Sequence, residues 1–399
     1  MTAGLHCDVL VSGGGIAGLA AAAAFASREF SVIVVDPAAP ISGPDSEGAD
    51  LRTTAYLRPS RDLLDDAGVW QAMLPHATPL AALRVIDTSG WPPHPVAERT
   101  FTPDDPGSGP FGWNVANWRA RSALADTLGS SDRVELRFGP SLSDLVFRDD
   151  RVIARLSDGN RISARLVIGA DGRTSAVRAA TGIGVRVKRY GQTALAFAAR
   201  HALPHGNVST EVYNRGGAFT TVPMEDQAGA PASAIVWMDE TAKARARASA
   251  GLELLAVEMT ARSTGILGAM DPISPVATYP TTTQRATRLV HHRTALVAEA
   301  AHVMPPIGAQ GLNTSLADIA VLAELATPDG LGAEAMLAAY SRARMGDILA
   351  RTAAVDLLNR VCKSGAAPVQ RLRQLGLQAT HDIGPLRRTI MRAGLGPGG

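Results

Sequence analysis

The chain has 399 residues, 46% of them hydrophobic and 19% charged, and its formal net charge is +2. This length exceeds the usual size of one hydrophobic core, so we expect a soluble protein of two closely joined domains in a reducing compartment. The composition argues against three classes of protein. The small net charge does not suggest a nucleic-acid-binding protein, and no apolar run reaches the roughly 18 to 20 residues of a membrane-spanning helix. Cys7 and Cys362 lie too far apart in sequence for the paired cysteine motif of a disulfide reductase.

The first predicted unit spans residues 7–36 and reads CDVLVSGGGIAGLAAAAAFASREFSVIVVD. A short strand leads into G-x-G-x-x-G, and an alanine-rich helix and a second strand follow, which is the order of a dinucleotide-binding unit. In such a unit Gly13 makes the tight turn, Gly15 admits the pyrophosphate, and Gly18 packs the helix on the strand. Asp36 ends the second strand and can hold ribose hydroxyls. The glycine cluster and the missing basic leader argue against a signal peptide.

Arg52 follows a flexible loop rich in proline, glycine and serine. Its guanidinium suits a phosphate or a carbonyl-rich ring, and a surface ion pair with Asp50 is the plain alternative. Beyond it, the pattern predicts a helix over 63–70, a strand over 83–87 and an irregular excursion over 91–109.

A helix is predicted over 118–128, with Arg121 in its first turns, and several short strands follow it. The next informative stretch, residues 164–182, reads ARLVIGADGRTSAVRAATG and predicts a strand, a turn and a helix. Asp171 stands at the carboxyl end of that strand, where it can meet a ribose or ribityl hydroxyl. An ordinary Asp-Gly turn explains it as well.

Alternating strands separated by polar turns are predicted over 193–239, and one or two helices follow. We interpret residues 183–280 as an antiparallel-sheet substrate domain. It is inserted into a Rossmann-like α/β domain that comprises residues 1–182 and 281–362.

The stretch 296–325 reads LVAEAAHVMPPIGAQGLNTSLADIAVLAEL and predicts a loop that ends at Gly311, followed by a helix. We expect Asn313 or Thr314 to cap that helix. Its start presents free N–H groups and about half a positive charge, which suits an anion or an electron-rich ring edge. Gly308 and Gly311 allow a flat ligand to approach the backbone. An ordinary loop and core helix is the alternative.

A long helix is predicted over 333–358, and residues 363–399 form a basic amphipathic tail. Its arginines, among them Arg371, Arg373 and Arg387, alternate with leucines. A solvated helix face and a membrane-surface contact fit this pattern equally well. We therefore expect a cytoplasmic protein, with peripheral contact at the inner membrane surface as the second expectation.

Three separated stretches, GGGIAGL, GADGRTSAVR and AAHVMPPIGAQGLNTSLAD, occur in this order. Together they resemble the FAD-dependent aromatic-ring hydroxylases of the para-hydroxybenzoate hydroxylase class, and within it the ubiquinone-biosynthesis hydroxylase family. DLRTTAYL, FGWNVANWRARSAL and YSRARMGDILARTAAVDLLNR resemble segments of that family at matching order and spacing. The resemblance covers nearly the whole chain.

The resemblance implies where FAD binds. The ADP half would lie on the first glycine unit, Arg121 near the phosphates, Arg52 near the flavin, and the loop 306–313 along the isoalloxazine. The implied cofactor-binding residues are Gly13, Gly15, Ala17, Gly18, Asp36, Arg52, Arg121, Asp171, Glu299, Pro306, Gly308, Gly311, Leu312 and Asn313. A single dinucleotide fingerprint implies that NAD(P)H docks transiently, without a fold of its own.

The chain departs from the family at two positions. The family usually has Gly-Asp at Ala298-Glu299, and that acid normally bonds the ribityl or pyrophosphate region. The carboxylate is retained, but the alanine adds a methyl group and the glutamate a methylene group. The family often has Glu at Ala116.

The implied function is an FAD-dependent monooxygenase that uses NAD(P)H and O₂ to hydroxylate an aromatic ring, with a prenylated phenol of ubiquinone biosynthesis as the expected substrate. A flavin reductase or dehydrogenase acting on a lipid shares the fold. The alternative from another class is a flavin-weakened relative that serves as a lipid-binding or scaffold subunit of a biosynthetic complex, which Ala298-Glu299 motivates. We assign no catalytic base and no metal ligand. The possible bases are Tyr190, His201, Tyr213 and His302, and for each of them we expect a structural rather than a catalytic role.

Overall fold

The predicted α/β architecture is present in the computed structural model, which describes residues 5–41, 43, 50, 52–103, 109–364 and 367–382. Three β-sheets with helices packed against them make up this part of the chain. No helix within the described ranges is both long and apolar enough to span a membrane.

The strands, in chain order, are β1 (Leu5–Ser12), β2 (Val32–Asp36), β3 (Thr53–Leu57), β4 (Thr78–Leu80), β5 (Ala82–Ser89), β6 (His94–Phe101), β7 (Gly112–Ala116), β8 (Val134–Phe138), β9 (Leu142–Phe147), β10 (Val152–Leu156), β11 (Arg161–Gly169), β12 (Val185–His201), β13 (Val208–Asn214), β14 (Gly217–Gln227), β15 (Ala230–Glu240), β16 (Met270–Pro272), β17 (Ala277–Ala286), β18 (Val290–His291), β19 (Thr294–Leu296) and β20 (His302–Val303).

The α-helices are α1 (Ile16–Ala26), α2 (Arg58–Asp66), α3 (Trp70–Met73), α4 (Asn117–Gly129), α5 (Ala176–Ala180), α6 (Thr241–Ser249), α7 (Leu252–Arg262), α8 (Ala298–Ala301), α9 (Gln310–Glu324), α10 (Glu334–Lys363) and α11 (Ala367–Asp382). A short 3₁₀ helix spans Leu74–His76.

The first sheet has the order β18-β19-β11-β1-β2-β8, with β10 and β9 attached beside β11. β1 pairs in parallel with β2 and β11, β2 with β8, and β11 with β19. Its central strands are covered on both faces, which explains why they read as continuous apolar runs such as Val9–Val11. The alanine-rich α1 is buried along nearly its whole length, because small side chains let it pack closely on the sheet and on α9.

The second sheet has the order β20-β17-β12-β15-β14-β13-β5-β6 and is antiparallel except where β13 meets β5. Successive residues of a strand point to opposite faces. On one face Phe219 and Trp237 pack against α6 and α7. On the other face Glu211, Tyr213 and Val236 line a cavity between this sheet and the first.

The second sheet is not confined to the predicted substrate domain. Residues 82–101, assigned from the sequence to the cofactor-binding part, form β5 and β6 and join this sheet through Val212 opposite Ile86. The irregular excursion predicted over 91–109 is therefore wrong for His94–Phe101. Pro95 is tolerated there because β6 is an edge strand, where a missing N–H costs no ladder bond. Residues 104–108 lie outside the described part.

Two helix predictions are also corrected. The predicted helix over 63–70 is two helices, α2 and α3, separated at Gly68, whose φ of +74° ends the first of them. The helix predicted to be capped by Asn313 or Thr314 begins earlier, at Gln310. Its N-cap residue is Ala309, with φ +53° and no capping side chain.

The basic tail is only partly a solvated face. α11 carries an exposed Arg371, but Arg373 is 7% exposed and forms an ion pair with the fully buried Asp87 of β5. Burial raises the pKa of Asp87, although the charge of Arg373 opposes that shift. The part of the predicted tail beyond residue 382, including Arg387, lies outside the described residues.

Candidate active site

A cavity of about 1880 Å³ lies between the first sheet, the second sheet and the loop that precedes α9. Its wall contains most of the predicted cofactor residues: Gly15, Ala17, Asp36, Arg52, Arg121, Glu299, Pro306, Gly308, Gly311 and Leu312. Gly13, Gly18, Asp171 and Asn313 lie behind the wall rather than in it.

The three glycines of the first turn have different roles. Gly13 has φ +110°, and a Cβ there would stand 2.4 Å from the carbonyl oxygen of Ala170. A Cβ on Gly18 would lie 1.8 Å from the carbonyl oxygen of Gly13. Gly15 has a φ of −75°, which any residue adopts, and a Cβ there would meet no protein atom within 4 Å. The fold itself requires Gly13 and Gly18, whereas Gly15 keeps open a space that belongs to the cavity.

Asp36 and Arg121 hold that turn against the loop after β2. Asp36 accepts hydrogen bonds from the N–H groups of Gly14, at 2.7 Å, and Ala38, at 2.9 Å. Arg121 donates through Nε to the carbonyl oxygen of Gly14 at 2.8 Å and approaches Asp36 Oδ1 at 3.4 Å. Their side chains are 18% and 21% exposed, so both can reach a ligand in the cavity.

Arg52 is fixed beside the cavity by a bidentate ion pair with Asp50, both bonds being 2.7 Å long. Asn117 donates to the same carboxylate at 2.9 Å, and the guanidinium lies 4.5 Å from the ring centre of Tyr279. Burial alone would raise the pKa of Asp50, but the hydrogen bonds and charge of Arg52 outweigh burial and lower it. Arg52 therefore presents a positioned cation to the cavity.

Asp171 does not reach the cavity. Its Oδ2 accepts from the N–H of Val177 at 3.0 Å and lies 3.5 Å from Ser12 Oγ, so the carboxylate faces the start of α5. The wall at this place is formed by Ala170, Gly172 and Arg173. The predicted contact between Asp171 and a ribose or ribityl hydroxyl has no support in this placement.

Glu299 lies in α8 at the cavity wall and forms a bidentate ion pair with Arg173, at 3.0 and 3.1 Å. The preceding Ala298 has φ +54°, a left-handed backbone that costs an alanine about 1–2 kcal/mol and a glycine nothing. The backbone conformation thus explains why glycine suits this position, and it leaves the carboxylate of Glu299 at the cavity.

The start of α9 points at the cavity without a capping side chain. A Cβ on Gly311 would meet no protein atom within 4 Å, and Gly308 has φ +64°. Asn313 lies in the first turn, where it ties the helix to β3. Its Oδ1 accepts from Leu57 N at 2.9 Å, and its Nδ2 donates to the carbonyl oxygens of Ala55, at 2.8 Å, and Ala309, at 2.7 Å. The helix start can therefore meet a negatively charged or electron-rich ligand edge, as the sequence predicts.

Of the four candidate bases, Tyr190 and His201 lie away from the cavity. Tyr190 donates to Asp356 at 2.7 Å, and burial first, then that carboxylate, raises its pKa to about 12. His201 is bonded to Leu203 O and to Ser233, and burial lowers its pKa.

His302 and Tyr213 line the cavity. His302 is held by a 2.6 Å hydrogen bond between Nε2 and the fully buried Asp318. Tyr213 donates a short hydrogen bond to Glu211, a cavity residue that was not among the predicted site residues. An acid within the strand pattern STEVYN, on the face opposite to apolar Val212, is the signal that could have revealed it.

The cavity continues beyond the cofactor residues into an apolar region. Its wall there is formed by side chains from β4, β5, β6, β14 and α10, namely Leu80, Leu83, Val85, Phe101, Val222, Val355, Leu358 and Val361. This region can take an apolar chain attached to a ring.

Comparisons with known proteins bear on this site. A family model described as an FAD binding domain matches residues 6–351. The ubiquinone hydroxylase UbiL of Rhodospirillum rubrum is 37% identical over 404 aligned residues, covering 98% of this chain and 89% of the relative. The 3-demethoxyubiquinol 3-hydroxylase of Escherichia coli is 29% identical, with 98% of each chain covered.

Two solved structures share the fold. The p-nitrophenol 4-monooxygenase PnpA from Pseudomonas putida matches with a TM-score of 0.77 at 20% identity, covering 98% of this chain and 99% of that one. A variant of HpxO from Klebsiella pneumoniae, complexed with FAD, also gives 0.77, at 18% identity and with 99% and 100% covered.

Proposed function

The chain belongs to the FAD-binding-domain family and is an FAD-dependent monooxygenase of the aromatic-hydroxylase class, and we propose that its substrate is a prenylated phenol of ubiquinone biosynthesis. The resemblance that the three motifs indicate is thus confirmed by the family model and by hydroxylase relatives aligned along nearly the whole chain. The observation that carries the proposed substrate is that the wall of one cavity contains both the expected cofactor residues and a group of apolar side chains.

The residues present fit FAD. The open face of Gly15 leaves room for a pyrophosphate at the start of α1, where free N–H groups favour an anion. We propose that Asp36 holds the adenosine ribose, Arg121 the phosphates and Glu299 the ribityl or pyrophosphate region. The loop 306–312 and Arg52 would then flank the isoalloxazine ring.

FAD, when bound, would supply the redox chemistry: electrons from NAD(P)H reduce O₂, one oxygen atom of which goes to the ring carbon and the other to water. The protein orients the substrate ring, keeps water out and provides fixed charge. The uncapped start of α9 can stabilise negative charge on an adjacent ring edge, and Arg52 is a positioned cation.

The apolar region of the cavity supports a substrate with a hydrocarbon tail. A prenyl unit gains about 0.8 kcal/mol for each CH₂ group removed from water. The tail would lie against Leu83 and Val85 of the second sheet and Leu358 of α10. The names of the hydroxylase relatives support a ubiquinone-pathway phenol.

We propose that the substrate domain comprises residues 183–280 together with the hairpin of residues 82–101, which form most of the second sheet. The rest of residues 1–182 and 281–362 would form the FAD-binding domain. Limited proteolysis with and without FAD tests this division, because FAD should protect cleavage sites in the FAD-binding domain more than those in the substrate domain.

The decisive experiment uses purified full-length protein. We expect a flavin absorbance spectrum, NAD(P)H oxidation that rises on addition of a short-chain prenylated phenol, and a product heavier by one oxygen atom. A protein that binds FAD but oxidises NAD(P)H at the same rate with and without the phenol would refute the substrate. A colourless protein that excess FAD cannot reconstitute would favour the scaffold alternative.

The basic tail supports a proposed contact with the membrane, where a prenylated substrate resides. Each Lys or Arg near an anionic surface contributes roughly 1 kcal/mol, which salt screens. We expect salt-sensitive co-sedimentation with anionic vesicles, lost on truncation after Gly365. Because truncation also removes the ion pair between Arg373 and Asp87, circular dichroism must show that the shortened protein folds. No binding of the intact protein at low salt would refute the contact and favour delivery by a partner enzyme of a biosynthetic complex.

A further inference from the structure

Gly376 lies in the interior of α11 and forms part of the cavity wall. It follows Arg373 by three residues, so the two lie on the same face of the helix, and Arg373 also lines the cavity. Arg373 donates to the carbonyl oxygen of Cys362 at 3.3 Å, and α11 packs against β6 and α10. This face of α11 therefore completes the cavity wall beside the end of α10.

Nothing in the packing or the backbone around Gly376 requires a glycine. A Cβ there would meet no protein atom within 4 Å, and the backbone is helical rather than left-handed. Inside a helix, glycine is destabilising relative to alanine, because it loses more conformational freedom when the chain folds. What the missing side chain provides is open space in the cavity wall.

The cavity reaches the surface of the protein at this end. Leu357 and Leu358 of α10 line the cavity and are nevertheless 63% and 38% exposed. Gly376 likewise lines the cavity and is exposed. The charge of Arg373 on the same face is paired with Asp87. A hydrocarbon chain that leaves here would thus pass apolar side chains and an open glycine, without burying an unpaired polar group.

The cavity is also open at the loop that precedes α9, where Gly308 and Gly311 are exposed and line the wall. That side belongs to the residues proposed to flank the isoalloxazine ring, which would cover it. The end at α10 and α11 is the side that FAD would leave open.

We propose that the gap between α10 and α11 at Gly376 is the exit for the hydrocarbon tail of the substrate, so that this glycine sets the tail length that the enzyme accepts. A short tail would end within the apolar region. A longer tail would run over Gly376 and past Leu357 to the surface, while its ring stays at the cofactor residues. This role rests on the proposed prenylated substrate.

The test compares Gly376→Leu with wild type as FAD-loaded proteins. The ligands are 2-prenylated phenols with tails of one, two, three and four isoprene units, and their binding is measured without reductant from the change in flavin absorbance. Wild type should bind the whole series without loss of affinity as the tail grows. Each buried CH₂ group contributes roughly fourfold to affinity, so a leucine that displaces two of them should weaken binding roughly tenfold or more. That loss should appear only from the tail length that reaches α11.

Gly346→Leu is the matched control. Gly346 lies in the interior of α10, a Cβ there would also meet no protein atom within 4 Å, and it is outside the cavity wall. Leucine favours a helix more than glycine does, so both apoproteins should unfold at or above the wild-type temperature. Gly346→Leu should bind the whole series as wild type does.

A cysteine placed in the gap gives a second readout that does not depend on closing it. The four-unit phenol should slow labelling of Gly376→Cys by a maleimide, and the one-unit phenol should not. Labelling of wild type measures the background from Cys7 and Cys362. Gly346→Cys should be labelled equally fast with either phenol.

The outcomes separate the exit from the substrate. Equal losses of affinity for every tail length in Gly376→Leu, or unchanged affinity for all of them, would overturn the exit while leaving the phenol substrate intact. A wild-type flavoprotein that binds no member of the series would overturn the proposed substrate, and the exit with it. If Gly376→Leu unfolds at a lower temperature than wild type, the labelling of Gly376→Cys decides.

Discussion

Replacing Gly15 by valine should abolish FAD binding without damaging the fold. The backbone of Gly15 has an ordinary φ of −75°, and its missing side chain faces no protein atom within 4 Å. Replacing a glycine reduces the conformational freedom of the unfolded chain, which stabilises the folded state by about 0.4–1 kcal/mol. A valine is slightly less favourable than glycine at a helix N-cap, which acts in the opposite direction. The apoprotein should therefore stay within about 1 kcal/mol of wild type. The valine methyl groups would occupy the space left for a pyrophosphate.

Its two neighbours provide the contrast. Gly13→Ala combines a backbone of φ +110° with a contact of 2.4 Å, and Gly18→Ala a contact of 1.8 Å. Overpacking costs about 1–3 kcal/mol, and the left-handed backbone about 1–2 kcal/mol more at Gly13. Both variants should unfold at clearly lower temperature without FAD, whereas Gly15→Val should not.

Thermal unfolding with and without FAD measures both effects. A ligand at 1,000 times its Kd stabilises by about 4.1 kcal/mol, so wild type should show a rise in Tm that Gly15→Val lacks. Retention of stoichiometric FAD by Gly15→Val would refute the assignment of this turn to the pyrophosphate. An apoprotein of Gly15→Val as unstable as that of Gly18→Ala would refute the account of the open face.

Three further results are expected. Glu299→Ala should weaken FAD binding roughly 10- to 100-fold and Glu299→Asp much less, since a charge-assisted hydrogen bond contributes about 1.5–3 kcal/mol. Equal FAD dissociation constants for wild type and the alanine variant would show that Glu299 does not touch the cofactor. Burial raises the folded-state pKa of Glu211 above its ordinary 4.5, so the folded state binds that proton more tightly than the unfolded state. The free energy of unfolding should therefore fall as the pH rises from about 4.5 through the folded-state pKa. Urea unfolding should show this loss in wild type and not in Glu211→Gln. Arg373→Ala should destabilise by about 3–5 kcal/mol because it strands the buried Asp87, and Asp87→Asn in the same chain should recover part of the loss in denaturant unfolding. An unchanged midpoint for Arg373→Ala would mean that this ion pair does not stabilise the fold.

Sequence patterns predicted best what is decided over short distances along the chain. The strand–turn–helix around Gly13 to Gly18 needs only local periodicity and glycine spacing, and the strands of the second sheet show clear alternation with polar turns. The predicted start of α9 lies only a few residues after the observed one. The left-handed Ala309 takes the place of the expected side-chain cap, and an alanine in the sequence does not indicate that conformation.

What the sequence could not provide was side-chain direction and partners distant in sequence. Asp171 was expected to face a ligand, but Val177 N–H of the following helix captures its carboxylate, and only the path of the turn decides between the two. The bond from Gly308 to Glu211 joins residues 97 positions apart. Arg373 looked like a surface charge because its partner, Asp87, belongs to a strand that no local pattern links to the tail.

The parallel pairing of β13 with β5 has a consequence for synthesis of the chain. Thr88 and its hydrogen-bond partner Tyr213 are separated by 125 residues. At about 5–20 residues per second, the strand of Thr88 leaves the ribosome on the order of ten seconds before its partner exists. During that time the β5–β6 ribbon exposes an unpaired edge on which other chains could stack. The largely polar and charged outer strand, with Glu98 and Arg99, protects only the β6 side of this ribbon. We therefore expect aggregation of nascent chains, rather than unfolding of the finished enzyme, to limit the yield of this protein.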